Sequence, residues 1–290
     1  MSIIHPKDLS KESKELNSNS KLFEIYKNLN LASLKCDTYF QTYEELFSEY
    51  VGKEITFVEI GVLDGGSLEM WRNFFGEDAR IIGIDLNPNC KKFEKKGIEI
   101  HIGDQGDPNF WSKFFKEVGK VDIILDDGSH KNDHQIITTI NAAPNINDGG
   151  ILVFEDTCTS YWPKFGNPHK FSFINFSKKI IDDINFTYPE LPNFKLSLND
   201  HIFSIRYFES FCIFYIDKNR CYTNSRVENE GTKVGNENYV NKKSKFRNIA
   251  RNLAKLIPIL NQIKLIKFIY NFLILINLKL KNNSLKKYFK

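Results

Sequence analysis

The sequence has few cysteines, and none of them form a metal-binding or disulfide pattern. Five are present in 290 residues, at positions 36, 90, 158, 212 and 221, without any C-x-x-C spacing. This scatter excludes a disulfide framework and a cysteine-rich zinc site. The N-terminus also lacks a basic segment followed by an apolar run, so we expect no signal peptide. These absences predict a cytoplasmic protein.

Acidic residues are absent from the end of the chain. From Lys242 onward there are 13 Lys and Arg and no Asp or Glu. Because the whole chain has 40 basic and 36 acidic residues, the part before Lys242 carries 27 basic against 36 acidic residues, a net charge of −9. We therefore divide residues 242–290, a basic tail, from the acidic body, with a polar linker at 222–241.

The tail also lacks an apolar run that could span a bilayer. Its longest uncharged stretch, Phe268–Leu278, has 11 residues, whereas a spanning helix needs about 20. Apolar residues recur at helical intervals between lysines, as in helices that lie on anionic membrane surfaces. We predict a basic amphipathic helical tail that contacts the inner face of the membrane peripherally. Docking on the acidic body, on a partner protein or on a second copy in a homo-oligomer is the alternative.

The centre of the chain has short apolar runs separated by helical stretches. The runs predicted as strands are Thr56–Ile60, Arg80–Asp85, Ile98–Ile102, Val121–Leu125 and Ile151–Glu155. Continuous Val, Ile and Leu runs indicate a parallel sheet that is covered by helices on both faces. Two later runs, Ile202–Phe208 and Phe211–Asp217, are joined by two residues, which predicts an antiparallel hairpin.

These elements predict an α/β fold. We expect a doubly wound, Rossmann-like, mostly parallel sheet with a C-terminal antiparallel β-hairpin over residues 51–221. A helical N-terminal segment, residues 1–50, and the helical C-terminal tail extend it. Within this scheme the chain is helix-like from about Ser20 to Val51, and we expect helices at Ser67–Phe75 and Asn132–Ala143.

The first strand leads into a glycine-rich turn. Glu59, Gly61 and Gly65 have the spacing E-x-G-x-x-x-G, and glycines here let the backbone turn sharply and approach a ligand. The second glycine of a dinucleotide-binding G-x-G-x-x-G loop is missing. Asp85 ends the second strand, where its carboxylate can accept both hydroxyls of a ribose. Asp104 follows the third strand and forms a further polar cluster at the same edge.

Acidic residues follow the fourth and fifth strands. Asp126, Asp127 and His130 lie in the sequence D-D-G-S-H, and Glu155 and Asp156 end the fifth strand. The carboxyl ends of parallel strands share one edge of a sheet, so Asp127, Glu155 and Asp156 are expected in one cleft. Such a cluster requires neutralisation, and oxygen ligands suit a hard cation such as Mg²⁺. His130, three residues after Asp127, is a candidate proton acceptor.

Taken together, these motifs resemble the class I S-adenosylmethionine-dependent methyltransferases. The D-D-G-S-H and F-E-D segments also resemble the metal-dependent macrolide-sugar O-methyltransferases of the mycinamicin type. The resemblance implies S-adenosyl-L-methionine as cofactor, bound by the Glu59–Gly65 turn, Asp85 and Asp104; we place Ser67 and Asp126 in the same set. It implies Mg²⁺ or another hard divalent cation on Asp127, Glu155 and Asp156. His130 would then be the general base.

The resulting hypothesis is an O-methyltransferase that acts on a sugar hydroxyl, with a sugar or nucleotide-sugar as substrate. The Lys-, Asn-, Ile- and Phe-rich composition and the resemblance favour bacterial surface-glycan or capsule polysaccharide synthesis. Two alternatives stay open: a catechol-like, metal-dependent O-methyltransferase and a non-catalytic module that binds a membrane or partner through its tail. Nucleic acid is not an expected partner, because the body is acidic and no N/D-P-P-aromatic segment follows the fourth strand.

Overall fold

The computed structural model describes residues 3–94, 97–165, 170–185, 198, 200–222 and 225–232. Residues 1–226 form one compact unit and residues 227–290 a second. The basic tail, 242–290, and much of the predicted linker lie outside the described residues. Among the described residues, no helix is both long and apolar enough to cross a membrane.

Within the described ranges, seven strands form one sheet in the order β3-β2-β1-β4-β5-β7-β6. The first five are parallel, while β7 runs antiparallel to β5 and β6. Their bounds are β1 Thr56–Ile60, β2 Arg80–Asp85, β3 Ile98–Ile102, β4 Val121–Asp126, β5 Ile146–Phe154, β6 Ile202–Phe208 and β7 Phe211–Ile216. This confirms the doubly wound sheet with a C-terminal hairpin.

Alternating side chains of the central strands fill two apolar layers. In β1, Phe57 belongs to the layer on one face of the sheet and Val58 to the layer on the other. Ile123 and Ile124 of β4 divide in the same way. Because both faces are covered, the strands read as continuous apolar runs rather than as an alternation of apolar and polar residues.

In the part of the chain that the structure describes, seven α-helices accompany the sheet: α1 Lys11–Leu16, α2 Lys21–Lys27, α3 Tyr39–Phe47, α4 Gly66–Phe75, α5 Pro108–Val118, α6 Asn132–Ala142 and α7 Phe173–Asn185. Their starts follow local chemistry. The Ser20 hydroxyl accepts from the Phe23 amide at the start of α2. Asp107 caps α5, where Pro108 takes the first position. Such caps satisfy amides that have no partner within the helix.

The helix-like stretch expected from about Ser20 to Val51 is confirmed at its two ends and wrong between them. The chain forms α2, then an irregular segment that we call the strap, residues 28–38, and then α3. The break occurs at Asn28, whose side-chain amide donates to the Glu24 carbonyl and so ends the helix locally. The strap brings Lys35 to the carboxyl edge of the sheet.

The N-terminal segment is part of the same compact unit as the sheet. Tyr43 and Phe47 of α3 are fully buried. Their ring centroids lie 5.1 and 5.4 Å from the ring centroid of Trp71 on α4. This aromatic layer also contains Phe57 of β1. It fixes α3 over the sheet face next to the predicted site.

Candidate functional site

Three predicted site residues come together at the carboxyl edge of the sheet. Asp127 follows β4, Asp156 follows β5, and the two strands are neighbours with Asp126 opposite Phe154. One ligand atom from each of Asp127, His130 and Asp156 lies within 4.8 Å of the others. We call these three residues the triad. Its spacing is compatible with a single bound cation.

The backbone is unusual at two of the triad residues. His130 and Asp156 each have φ of 55°, in the left-handed region. Few residues other than glycine adopt this conformation, and those that do concentrate at functional sites. In both cases the chain turns sharply just after a strand, which directs the two side chains towards Asp127.

The imidazole of His130 lies between two carboxylates. Its Nε2 is 3.9 Å from Asp127 Oδ1 and 3.8 Å from Asp156 Oδ2. Its Nδ1 is buried and has no hydrogen-bond partner among the described residues. A buried nitrogen without a partner is costly, and such groups are found where a ligand or a proton transfer uses them.

Glu155 is held by two side chains of the N-terminal segment. Its carboxylate contacts the Lys35 ammonium, at 3.0 Å from Oε2, and accepts a hydrogen bond from the Tyr43 hydroxyl. Burial, reinforced by Asp127, raises the pKa of Glu155 to about 8. The structure therefore brings Asp127 and Asp156 into the triad, and the role of Glu155 as a direct metal ligand stays a prediction.

The N-terminal segment supplies side chains to the site that the sequence did not indicate. Tyr39 and Tyr43, one helical turn apart on α3, donate to Asp156 Oδ1 and Glu155 Oε2 respectively. Residues four apart lie on one helix face, so the pair is visible in the sequence. Their partners lie more than 110 residues later in the chain and cannot be identified from the sequence.

Lys35 is the second missed feature. Its Nζ is 2.5 Å from Asp127 Oδ2 and 3.9 Å from Glu59 Oε1, and its side chain is only 1% exposed. Burial lowers the pKa of Lys35, but the carboxylates of Asp127, Glu155 and Glu59 together raise it above the usual value. The ammonium therefore stays charged.

The glycine turn lies beside the triad and is organised by Asp85. The Asp85 carboxylate accepts from the amides of Val62, Leu63 and Asn87 at 2.8, 3.2 and 2.8 Å. Leu63 and Leu86, which flank it, are 72% and 68% exposed. An acid at a strand end between exposed apolar side chains is a suitable surface for a nucleoside, which would cover the leucines and bond to the carboxylate.

Glu59 and Ser67 do not face the cleft. Both are buried, and the Ser67 hydroxyl donates to Glu59 Oε2 at 2.6 Å while Trp71 Nε1 donates to Oε1 at 3.1 Å. Burial raises the pKa of Glu59 to about 7. These hydrogen bonds tie β1 to the start of α4, and direct contact of Glu59 and Ser67 with the cofactor stays a prediction.

Asp126 is similarly turned inward. It is fully buried, and both its oxygens accept from the Gln105 amide, at 3.0 and 2.9 Å. Gln105 in turn accepts from the Ser129 amide at 2.8 Å, which holds the turn that carries His130. Asp126 thus supports the triad from below, whereas Asp104 has a side chain 48% exposed at the end of β3.

The backbone conformation at position 61 and the backbone that packs against it both require glycine. It has φ of +95°, and a Cβ there would lie 2.1 Å from the carbonyl oxygen of Asp127. We expect Gly61→Ala to lose about 1–3 kcal/mol from backbone strain and a further 1–3 kcal/mol from the clash. Gly119→Ala is the matched control, because Gly119 has φ of +85° with no atom within 4 Å of the added Cβ. Urea denaturation measures both losses, and equal losses would contradict the close approach.

The chain is similar to known O-methyltransferases in sequence and in structure. The chain is 35% identical over 163 residues to demethylmacrocin O-methyltransferase of Streptomyces fradiae, covering 52% of this chain and 40% of that one. It superposes with a TM-score of 0.59 and 26% identity on a methyltransferase of the mycinamycin biosynthetic pathway solved with Mg and SAH, covering 73% of this chain and 56% of that one. The chain has the class I S-adenosylmethionine-dependent methyltransferase fold and resembles the macrolide-sugar O-methyltransferases. The family resemblance predicted from the sequence is confirmed.

A further relative of the chain is an 8-demethyl-8-alpha-L-rhamnosyl tetracenomycin-C 2'-O-methyltransferase of Streptomyces olivaceus. It is 32% identical over 158 residues, which cover 51% of this chain and 41% of that one. The chain thus spans about two fifths of the length of the curated relatives that it matches. No family model matches the sequence.

Proposed function

We propose that this protein is an S-adenosylmethionine-dependent, Mg²⁺-assisted O-methyltransferase that acts on a sugar hydroxyl. The triad carries the proposal: two carboxylates and an imidazole converge at the edge of the sheet, next to the glycine turn. A proton acceptor between two carboxylates is suited to activating a hydroxyl group beside a bound cation.

The donor set fits a divalent cation. Asp127 Oδ1 and Asp156 Oδ2 face His130, and the side chains of Asp127 and Asp156 are 21% and 32% exposed, so the triad is open to the cleft. Asp127 and Asp156 would hold the ion, with Glu155 adjacent. When bound, such an ion lowers the pKa of a nearby hydroxyl and so favours its deprotonation.

The side chains of the protein have separate parts in the reaction. Tyr39, by donating to Asp156 Oδ1, fixes that carboxylate and leaves Oδ2 on the triad side. His130 Nε2 faces the cleft between the two acids and accepts the proton of the hydroxyl to be methylated. Asp85 and the amino end of α4 would bind the cofactor, which positions its methyl group next to that hydroxyl.

The relatives support a sugar as the acceptor. One is named as the 2'-O-methyltransferase of a rhamnosyl tetracenomycin, another as the 2''-O-methyltransferase of mycinamicin VI and a third as the 3-O-methyltransferase of an olivosyl-oleandolide. We infer that the acceptor is a sugar with adjacent free hydroxyls on a glycosylated small molecule. The predicted role in capsule polysaccharide synthesis and the nucleotide-sugar acceptor have no support in these relatives.

The proposal is tested with an acceptor panel. Purified protein is incubated with S-adenosylmethionine and MgCl₂ and with rhamnosyl glycosides, a nucleotide-sugar and a catechol, and the products are analysed by mass spectrometry. We expect one added methyl group on a rhamnosyl glycoside and none on its matched 2-deoxy or 3-deoxy analogue. Methylation of the catechol alone would favour the catechol-like alternative. Absence of S-adenosylmethionine binding by calorimetry would contradict the proposed function itself.

A further inference from the structure

A buried ammonium, that of Lys35, lies among the acids behind the triad. Lys35 Nζ is within 4.0 Å of carboxylate oxygens of Asp127, Glu155 and Glu59, whereas its side chain has only 1% exposure. Glu59 and Glu155 are themselves almost fully buried. Burying several carboxylates together is strongly unfavourable unless opposite charge is placed beside them. Lys35 supplies that charge.

The strap that carries Lys35 is anchored on both sides of it. Upstream, the Asn30 side chain and the Leu31 amide donate to the two oxygens of Glu69 on α4. Nearer to Lys35, the Ser33 carbonyl accepts from the Tyr26 hydroxyl at 2.8 Å. Downstream, the Asp37 carbonyl accepts from the Asn17 side chain at 2.9 Å. The position of the ammonium is therefore fixed by the fold.

Lys35 uses the oxygens that the triad does not use. Its contact with Asp127 is through Oδ2, while Oδ1 of the same carboxylate faces His130. The contact with Glu155 is on the side where the Tyr43 hydroxyl also donates. The ammonium thus compensates the charge of the acids from behind and leaves one oxygen of Asp127 free to meet a cation.

We propose that Lys35 is the resident counter-ion of this acid cluster, a positioning residue that keeps the site assembled before any metal ion binds. This proposal rests on the proposed metal-assisted function. We assign Lys35 no contact with substrate or cofactor, because its side chain is only 1% exposed and its ammonium is held by Asp127. Its positive charge reduces the net negative charge of the acid cluster to which a divalent cation would bind.

Removing the Lys35 ammonium should make the stability of the protein depend on the metal ion. In Lys35→Met, the carboxylates of Glu59, Asp127 and Glu155 lose their common partner, so the variant should be less stable than wild type in EDTA. Mg²⁺ should restore much of that loss, because the ion becomes the main compensating charge. Since a ligand that binds only the native state raises its stability, the recovery measures binding. We expect Mg²⁺ to bind Lys35→Met at least tenfold more tightly than wild type.

The experiment compares melting temperatures in EDTA and over a MgCl₂ titration at constant ionic strength, without cofactor or sugar. Lys120→Met is the matched control, because it removes the same charge from an exposed residue at the opposite end of β4. It should respond to Mg²⁺ as wild type does. If Lys35 contributed only packing, Lys35→Met would have the same loss of melting temperature in EDTA and in Mg²⁺. That result would overturn the proposal.

A second variant covers the case in which Lys35→Met does not fold. Lys35→Met/Glu155→Gln removes one acid together with the ammonium, so it should fold and should lose the enhanced response to Mg²⁺. If the double variant is no more stable in EDTA than Lys35→Met, the counter-ion role is overturned. This outcome is distinct from failure of the proposed function, which would appear as absent cofactor binding or methyl transfer in wild type.

Discussion

Replacing Asp156 with asparagine is expected to lower the rate of methyl transfer by about 10²-fold or more, because a divalent ion supplies several kcal/mol to a reaction of this kind. Asparagine is chosen because it tolerates the left-handed backbone at this position better than most residues. Its amide oxygen can still accept from Tyr39, so the surrounding structure should persist. The loss of rate therefore measures the contribution of the negative charge of Asp156.

The measurement follows initial rates of wild type and Asp156→Asn over a MgCl₂ titration, together with cofactor affinity by calorimetry. Cofactor affinity should be unchanged, and EDTA should reduce the wild-type rate to a similar level. Asp78→Asn, at an exposed turn before β2, is the control. Full wild-type activity in EDTA, or a near-native rate in Asp156→Asn, would remove the metal from the proposed mechanism.

His130→Asn should lower kcat by about 10²–10⁴-fold, the range typical of a general base. Asparagine again suits the φ of 55° at this position, whereas alanine would add backbone strain to the effect. Because Asp127 and Asp156 remain, the variant should bind Mg²⁺ and cofactor with affinities close to those of wild type.

Single-turnover rates separate the chemical step from binding, and kcat rather than KM should change. His101→Asn, on β3 with its ring against Phe114, is the matched control and should keep its rate. A His130→Asn enzyme that turns over at the wild-type rate would show that another group accepts the proton. Loss of Mg²⁺ binding in this variant would instead assign His130 as a metal ligand.

The N-terminal segment has a larger part in the site than its position in the sequence suggests. Tyr39 and Tyr43 hold Asp156 and Glu155, and Lys35 holds Asp127 from behind. Three side chains from residues 28–47 therefore set the orientation and charge of the acids that follow β4 and β5. Mutations of these three residues should therefore change metal binding, and not through a contact with the cofactor.

The sequence by itself determined the sheet and the edge at which the triad lies. Buried parallel strands leave continuous apolar runs, and polar residues begin where each run ends, so Asp127 and Asp156 could be assigned to one edge from their positions alone. The hairpin after residue 201 followed from two apolar runs joined by two residues.

Only the tertiary structure decided which acids face the cleft. Glu59 and Asp126 also lie at strand ends, but neighbouring side chains, Ser67 with Trp71 and Gln105, turn them inward. Lys35 could not be assigned either, since 92 and 120 residues separate it from Asp127 and Glu155. Strand periodicity fixes where a residue lies along the sheet, whereas the direction of its carboxylate depends on hydrogen bonds and charges brought by distant segments.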